Sequence, residues 1–334
     1  MKRLRLLINR ECTDAYANLA FEEYLLKQSP YGDDDVFMLW RNAPSVIIGK
    51  NQNAYREINK PFLDENGIKL VRRQTGGGAV FHDLGNVNFT FVGKDESGEL
   101  DFSKYALPVA RAISALGVKA ELNGRNDICV GERKFSGTAQ CIERGRVLHH
   151  GTLLYDADLS RLSGALRVNS EKLKDKGIRS VESRVTNLKA LTGADFTAEE
   201  FMEYIAESYA RDFDGEIVKE YVDPSKNDAV KALVNEKYSL FEWNFGASPE
   251  FEFSSTKRFP FGTVELNFTS RGGLINDIAF YGDFFGKQDI SELCKALTGK
   301  RLDGEELKKA LSDIRVENYV MGCKADDIIS LFEF

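Results

Sequence analysis

Histidine is scarce in this chain of 334 residues, with only His82, His149 and His150, and no CxxC pair occurs. A zinc site built on histidine and cysteine is therefore not expected. The five cysteines, Cys12, Cys129, Cys141, Cys294 and Cys323, are odd in number and widely spaced. They read as free thiols of a reducing compartment rather than as a disulfide framework. Long apolar runs are missing too, and the opening MKRLRLLINRE meets charge too soon for a signal peptide. Neither GxxxxGK[ST] nor GxGxxG is present, which removes two familiar phosphate-binding loops. There is no basic excess: the net charge is −7, so nucleic acid is not an expected partner, and any anion site has to be built locally. A cytoplasmic protein away from membranes is the expected setting.

What is present is a globular composition, 43% hydrophobic and 29% charged, in a chain long enough for two domains. The first half alternates strand-like and helix-like stretches. Residues 3–9 read as a strand, and Asp14 as the N-cap of a helix from Ala15 to about Gln28. VFMLW (36–40) and SVIIG (45–49), split by Asn42-Ala43-Pro44, predict a hairpin. Strands are expected at 68–73 and 87–93. A helix is expected over 103–117, with Pro108 a candidate for its true start. Short strands joined by glycine turns follow over 118–155, and TAEE opens an amphipathic helix over 197–211. Residues 263–270 and 274–282, joined through Gly272-Gly273, form a strong hairpin signal, followed by helices near 289–298 and 303–311. Gly246 and Pro249 interrupt the pattern. The expected division is therefore 1–246 and 250–334: an α/β unit with a mixed sheet and a small α+β unit.

Three stretches can carry chemistry. In Arg72-Arg73-Gln74-Thr75-Gly76-Gly77-Gly78-Ala79-Val80-Phe81-His82-Asp83, three glycines strip one turn of side chains, so backbone N–H groups can approach an anion. Arginine matches phosphate oxygens bidentately. Alone, this stretch fits a plain surface turn as well as a phosphate cradle. In the second, Lys134 follows Gly124-Arg125-Asn126-Asp127 and precedes Ser136-Gly137-Thr138. Its ammonium could bridge a carboxylate and a phosphate, and Asp127 could hold a metal or the lysine. The third is His149-His150-Gly151-Thr152, where adjacent strand residues face opposite ways, so only one histidine can face a site.

Together these stretches resemble the lipoate–protein ligase family. The strings that carry the likeness are RRQTGGGAVFHDLGNVNFTF (72–91), GRNDI (124–128), RKFSGTAQ (133–140), HHGTLLYDADLSRL (149–162) and GIRSVESRVTNL (177–188), with WRN (40–42) and WNFG (243–246) at either end. The resemblance implies ATP-dependent conversion of lipoate to lipoyl-AMP. The lipoyl group then passes to a lysine of a lipoyl domain, on a 2-oxoacid dehydrogenase E2 subunit, or of the glycine-cleavage H protein. It also implies a catalytic domain similar to biotin–protein ligases and class II aminoacyl-tRNA synthetases, followed by an accessory domain that swings between the half-reactions.

By position, Arg72 would contact ATP phosphate. Gly77, Gly78, Ala79 and Val80 would form a backbone wall around nucleotide and acyl group. Lys134 would contact the lipoyl carbonyl and the α-phosphate, and Gly77 and His150 the lipoate. Val46, Ile47, Ala79 and Leu153 would sleeve the tail. His82, Asp83 and Asp127 would stand around the phosphates and an accompanying Mg²⁺. Residues 161–190, with eight Lys/Arg against three acids, could meet an acidic partner or form a solvated face. A thiol-dependent octanoyl or lipoyl amidotransferase of the same fold is the nearest rival, because Cys129 and Cys141 flank Lys134. A lipoate carrier without turnover is a further one. A biotin–protein ligase would need a GRGRxxR-type loop, which is missing.

Overall fold

A computed structural model describes residues 2–95, 97–166, 184–245 and 252–332. Fourteen strands are present among them: β1 (Arg3–Ile8), β2 (Asp35–Arg41), β3 (Ser45–Ile48), β4 (Lys69–Arg72), β5 (Val80–His82), β6 (Asn86–Lys94), β7 (Ala120–Asn123), β8 (Asp127–Val130), β9 (Arg133–Glu143), β10 (Arg146–Leu154), β11 (Glu216–Tyr221), β12 (Phe253–Phe259), β13 (Gly262–Arg271) and β14 (Leu274–Gly282). An eight-stranded mixed sheet runs β11-β1-β2-β6-β10-β9-β8-β7. Its first three strands are parallel and the remainder pair antiparallel. A second sheet, β4-β3-β5, stands beside it, and β12-β13-β14 form a third. The fold is mixed α/β with a small C-terminal sheet unit.

The two faces of the large sheet are covered differently. One carries helices Phe102–Ser114 and Ala198–Arg211 over a core that includes Phe37, Phe89, Phe135 and Phe201. The other carries helix Ala15–Gln28 over Leu7, Val36, Met38 and Leu148. Two of these three helices start where their N-caps dictate. Asp14 accepts from the Tyr16 and Ala17 amides at 2.8 and 3.2 Å. Thr197 and Glu200 close a capping box, with the Glu200 amide 3.2 Å from Thr197 Oγ1. Residues 253–332 gather their own core around Leu266, Phe280, Leu293 and Leu307.

Three expectations are corrected. Residues 36–40 and 45–49 are not a hairpin: β2 lies between β1 and β6, whereas β3 pairs with β4 and β5. The Asn42-Ala43-Pro44 corner passes the chain from one sheet to the other, because Asn42 is fully buried and bonds Asn18 and His82 instead of turning in solvent. Pro108 does not start its helix, which begins at Phe102 under an Asp101 cap and is held by buried Tyr105, Val109 and Ile113. The strands β11 and β12 are additional to the expected elements. The interruption at 246–250 and most of the basic segment, residues 167–183, lie outside the described residues. No helix among the described residues is long and apolar enough to cross a membrane.

Candidate active site

A cleft of about 120 Å³ opens between the large sheet and the small β4-β3-β5 sheet. The glycine turn forms one wall through Gly77, Gly78, Ala79 and Val80, with Ile47 of β3 beside them. The opposite wall is a row across the large sheet. Trp40 pairs with Asn88, Asn88 with Thr152, the Gly137 amide donates to Thr152 Oγ1 at 3.3 Å, and Gly137 pairs with Asp127.

Two cations face the cleft from different segments, Arg73 and Lys134. Lys134 sits beside a register shift between β8 and β9, and its Nζ is 2.7 Å from Asp127 Oδ1, each side chain about a third exposed (36%). The ammonium lies over Gly137, where an added Cβ would meet Nζ at 2.8 Å. Glycine is the residue that leaves the lysine this path. The Lys134 carbonyl accepts from the Thr186 amide at 2.9 Å, so the VTNL end of the 177–188 string borders the site.

Arg73 is 6% exposed. Its Nη2 donates to the Gly76 and Gly78 carbonyls at 2.6 and 2.9 Å, and its Nη1 to Ile47 O at 3.2 Å. It therefore shapes the turn from beneath by engaging two glycine carbonyls. Burial lowers its pKa to about 10, which leaves it charged at neutral pH. Its Nε bonds Thr75 Oγ1 at 3.0 Å, Thr75 Oγ1 meets His150 Nε2 at 2.8 Å, and His150 Nδ1 meets Glu22 Oε1 at 2.9 Å. Thr90 also donates to Glu22, at 2.5 Å, and Trp40 Nε1 donates to Thr90 at 2.8 Å. One buried network thus ties the helix Ala15–Gln28, β2, β6, β10 and the glycine turn together.

The C-terminal unit reaches this turn. The Gly77 amide donates to the Phe284 carbonyl at 3.3 Å, and the Phe285 ring packs on Gly77, where a Cβ would lie 2.9 Å from Cζ. Gly77 has φ +91°, a second reason for glycine there. Arg125 of the GRNDI string stacks 4.4 Å from the Phe285 ring centroid and donates to the Phe261 carbonyl. Lys50 and Asp289 form a 2.8 Å ion pair across the same boundary.

Of the expected site residues, Gly77, Gly78, Ala79, Val80, Lys134, His82 and His150 line the cleft, with Asp127 bonded to Lys134. Arg72 does not join them. Its guanidinium donates to the carbonyls of Gly49, Lys50, Gln52, Trp243 and Asn244, at 2.6–3.0 Å, so it clamps the 49–52 loop to the short helix Phe241–Asn244, and Arg73 holds the charge at the cleft. Asp83 is also engaged elsewhere, accepting from the amides of Gly85, Asn86 and Asp158. His82 is a poor phosphate ligand: burial, reinforced by Arg73 and His150, lowers its pKa to about 3, so the ring is neutral. His150 borders the cleft, but both ring nitrogens are engaged by Thr75 and Glu22. Leu153 belongs to the core on the far face and Val46 to the core behind β3, because strand alternation turns both away.

Sequence reasoning did not single out Glu22, Asn88, Thr152 or Phe285. A signal existed for Glu22, an acid inside the apolar helix segment NLAFEEYLL. None existed for Phe285, which is one of 23 phenylalanines.

Known proteins resemble this chain over most of its length. The sequence profile of the lipoyl protein ligase A/B catalytic domain matches residues 14–210, and that of the bacterial lipoate protein ligase C-terminus matches residues 248–332. Lipoate-protein ligase LplJ of Bacillus subtilis is 39% identical over 325 residues, covering 97% of this chain and 98% of that protein. The crystal structure of P. falciparum LipL1 in complex with lipoate superposes with a TM-score of 0.80 at 27% identity, covering 98% of both chains. A lipoate-protein ligase A bound with ATP superposes with a TM-score of 0.62 at 29% identity, covering 74% of this chain and 99% of that one. With its glycine turn and two converging cations in that shared framework, the chain belongs to the lipoate–protein ligase family and is an enzyme of that class.

Proposed function

We propose that the enzyme joins lipoate to ATP in this cleft and then passes the lipoyl group to a protein lysine. The observation that carries this reading is that Arg73 and Lys134 line one cleft, the first beneath its glycine turn and the second on the facing wall of the large sheet. Adenylation brings a carboxylate against a polyphosphate, so two anions must meet. Fixed positive charge at their meeting point supplies the stabilisation the step needs. The carboxylate oxygen bonds the α-phosphorus and pyrophosphate leaves, with no side-chain nucleophile required. Lys134 then bonds the acyl carbonyl oxygen, where charge grows as the incoming amine attacks. The amide forms, AMP leaves, and the amine's proton goes to solvent. Lys134 also helps to lower the pKa of the attacking amine by charge.

Among the described residues no three His, Cys, Asp or Glu side chains gather as a metal site. Mg²⁺ needs only one or two protein carboxylates when phosphates supply other ligands, so it fits as an ion carried on the nucleotide. Asp127, already bonded to Lys134, is the carboxylate available to it.

The acceptors we propose are lipoyl domains of 2-oxoacid dehydrogenase E2 subunits and the glycine-cleavage H protein. Residues 1–246 then form the catalytic domain and 250–334 the accessory domain, which must release Gly77 before a phosphate can use its amide. The thiol-dependent rival is disfavoured by the cysteines themselves. Burial, followed by the charge of Asp127, raises the Cys129 thiol, and burial raises Cys141 to about 12, so neither is poised as a thiolate.

Mass spectrometry of a purified lipoyl domain incubated with the enzyme, ATP, Mg²⁺ and lipoate tests the reading. The expected result is the mass of one lipoyl group, gained only with ATP and accompanied by pyrophosphate. Acyl transfer that proceeds without nucleotide would overturn it.

A further inference from the structure

Two buried polar groups of the cleft have no partner among the described residues. His82 Nε2 and Asn88 Nδ2 are shut away from solvent without a hydrogen bond. Both side chains, 4% and 2% exposed, line the cavity. Buried polar atoms are nearly always bonded to protein, water or ligand, so both atoms have a bond to offer a group that enters the cleft.

The proton on His82 follows from backbone groups whose roles are fixed. The Cys12 N–H donates to Asn9 Oδ1 at 2.9 Å, so the other arm of that amide, Nδ2, donates to Asn18 Oδ1 at 2.7 Å. Asn18 Nδ2 then donates to the Arg41 carbonyl at 3.0 Å and to Asn42 Oδ1 at 2.9 Å. That leaves Asn42 Nδ2 facing His82 Nδ1 at 3.1 Å. An amide NH₂ only donates, so Nδ1 accepts and the single proton of the neutral ring sits on Nε2. Three asparagines in series thus fix a hydrogen-bond donor on the orphan atom.

The sheet register locates this donor relative to Lys134. Asn88 pairs with Trp40 on one side and with Thr152 on the other, and Gly137, under the Lys134 ammonium, lies one strand further on. At about 4.8 Å per strand step, Asn88 stands roughly 10 Å from Gly137. An extended eight-carbon acid has that length. With its carboxylate at Lys134, its tail ends at Asn88, whose cross-strand partner Trp40 has its ring 6.3 Å from that of His82.

We infer that His82 Nε2–H, together with Asn88 of the same cleft, is the element that selects the tail of the acid. It donates to a ring sulfur of a 1,2-dithiolane and is left unpaired by a plain alkyl tail. This rests on the lipoate-ligase reading above. Divalent sulfur is a weak acceptor, and stranding a buried donor beneath a methyl group adds to the difference between the two acids.

The test compares kcat/KM for lipoate and octanoate in the full-length enzyme. In His82→Leu the lipoate-to-octanoate ratio should fall about tenfold. In His82→Gln, whose amide nitrogen can occupy the Nε2 position, most of the preference should return. A folded His82→Leu enzyme that keeps the wild-type ratio overturns the inference, as does one in which both acids lose equally. Nitrogen-15 NMR of the wild-type histidines needs no variant and no turnover. The proton should be found on Nε2, and that resonance should move with lipoate and stay with octanoate. A proton on Nδ1, or equal shifts with both acids, also overturns it. Wild-type enzyme that responds to lipoate in the NMR experiment yet acylates no acceptor would sink the catalytic reading and leave the binding inference standing.

Discussion

The two faces of the eight-stranded sheet are both covered by helices and do different things with what they bury. Under helices Phe102–Ser114 and Ala198–Arg211 the inward residues are almost all apolar, and aromatic pairs such as Tyr155 on Phe201, 4.1 Å apart, fill the space. Under helix Ala15–Gln28 apolar residues from Ala15 to Leu26 are buried too, but a polar cluster interrupts them. Glu22, Thr90, Asn88, His150 and Arg73 are all buried there. An apolar face is stable through area and packing. A buried polar face is stable only where its bonds close, and the atoms left open at the cleft are the ones free to meet a ligand. The contrast separates what holds the protein together from what it uses.

Three measurements test that separation, from the largest effect to the smallest. Phe201→Ala on the apolar face should cost about 3–5 kcal/mol of unfolding free energy, read by urea denaturation, while the folded enzyme keeps its kcat/KM. A loss of turnover in the folded fraction would mean the faces are not separable. Lys134→Ala should do the reverse. Adenylate formation should fall about 10²–10³-fold, equivalent to about 2.7–4 kcal/mol, with the thermal midpoint little changed. Full activity in that variant would remove the lysine from the mechanism.

Acid is the third probe. His82 beside the cleft and His149 on the apolar face are both buried, and burial is the main reason each has its pKa lowered to about 3. Unfolding returns them to about 6.5. Between those values the unfolded chain holds more protons, so stability is full above about pH 6.5 and declines as pH falls toward 3. The slope should approach 1.4 kcal/mol per pH unit for each histidine. His149→Phe should flatten the acid limb of a stability profile by one proton's share, and an unchanged slope would contradict the burial argument.

Much of this organisation is legible in the residues themselves. Caps such as Asp14 and Thr197 act within a few positions of their own helices, so local spacing is enough to find them. The glycine turn and Lys134 stand out because a run of bare backbone and a lysine among small polar residues are unusual local chemistry. Long-range choices are different. Arg72 and Arg73 are neighbours, and nothing local says which of them faces the cleft and which is clamped to residues 49–52 and 243–244. The hairpin expected at 36–49 fails for a similar reason. The buried contacts of Asn42 with Asn18 and His82 send the chain into a second sheet, and those partners lie 24 and 40 residues away. The strand β11 has four of its six residues exposed and pairs with β1 more than two hundred residues earlier, so no local alternation announces it.

Phe285 on Gly77 has a thermodynamic consequence. A phosphate that would bind the Gly77 amide meets a carbonyl and a phenyl ring already seated there. Only molecules in which that segment has lifted away can accept it, so the measured dissociation constant equals the intrinsic one divided by the uncovered fraction. Substitutions that loosen the 284–285 segment should therefore tighten nucleotide binding without touching the nucleotide.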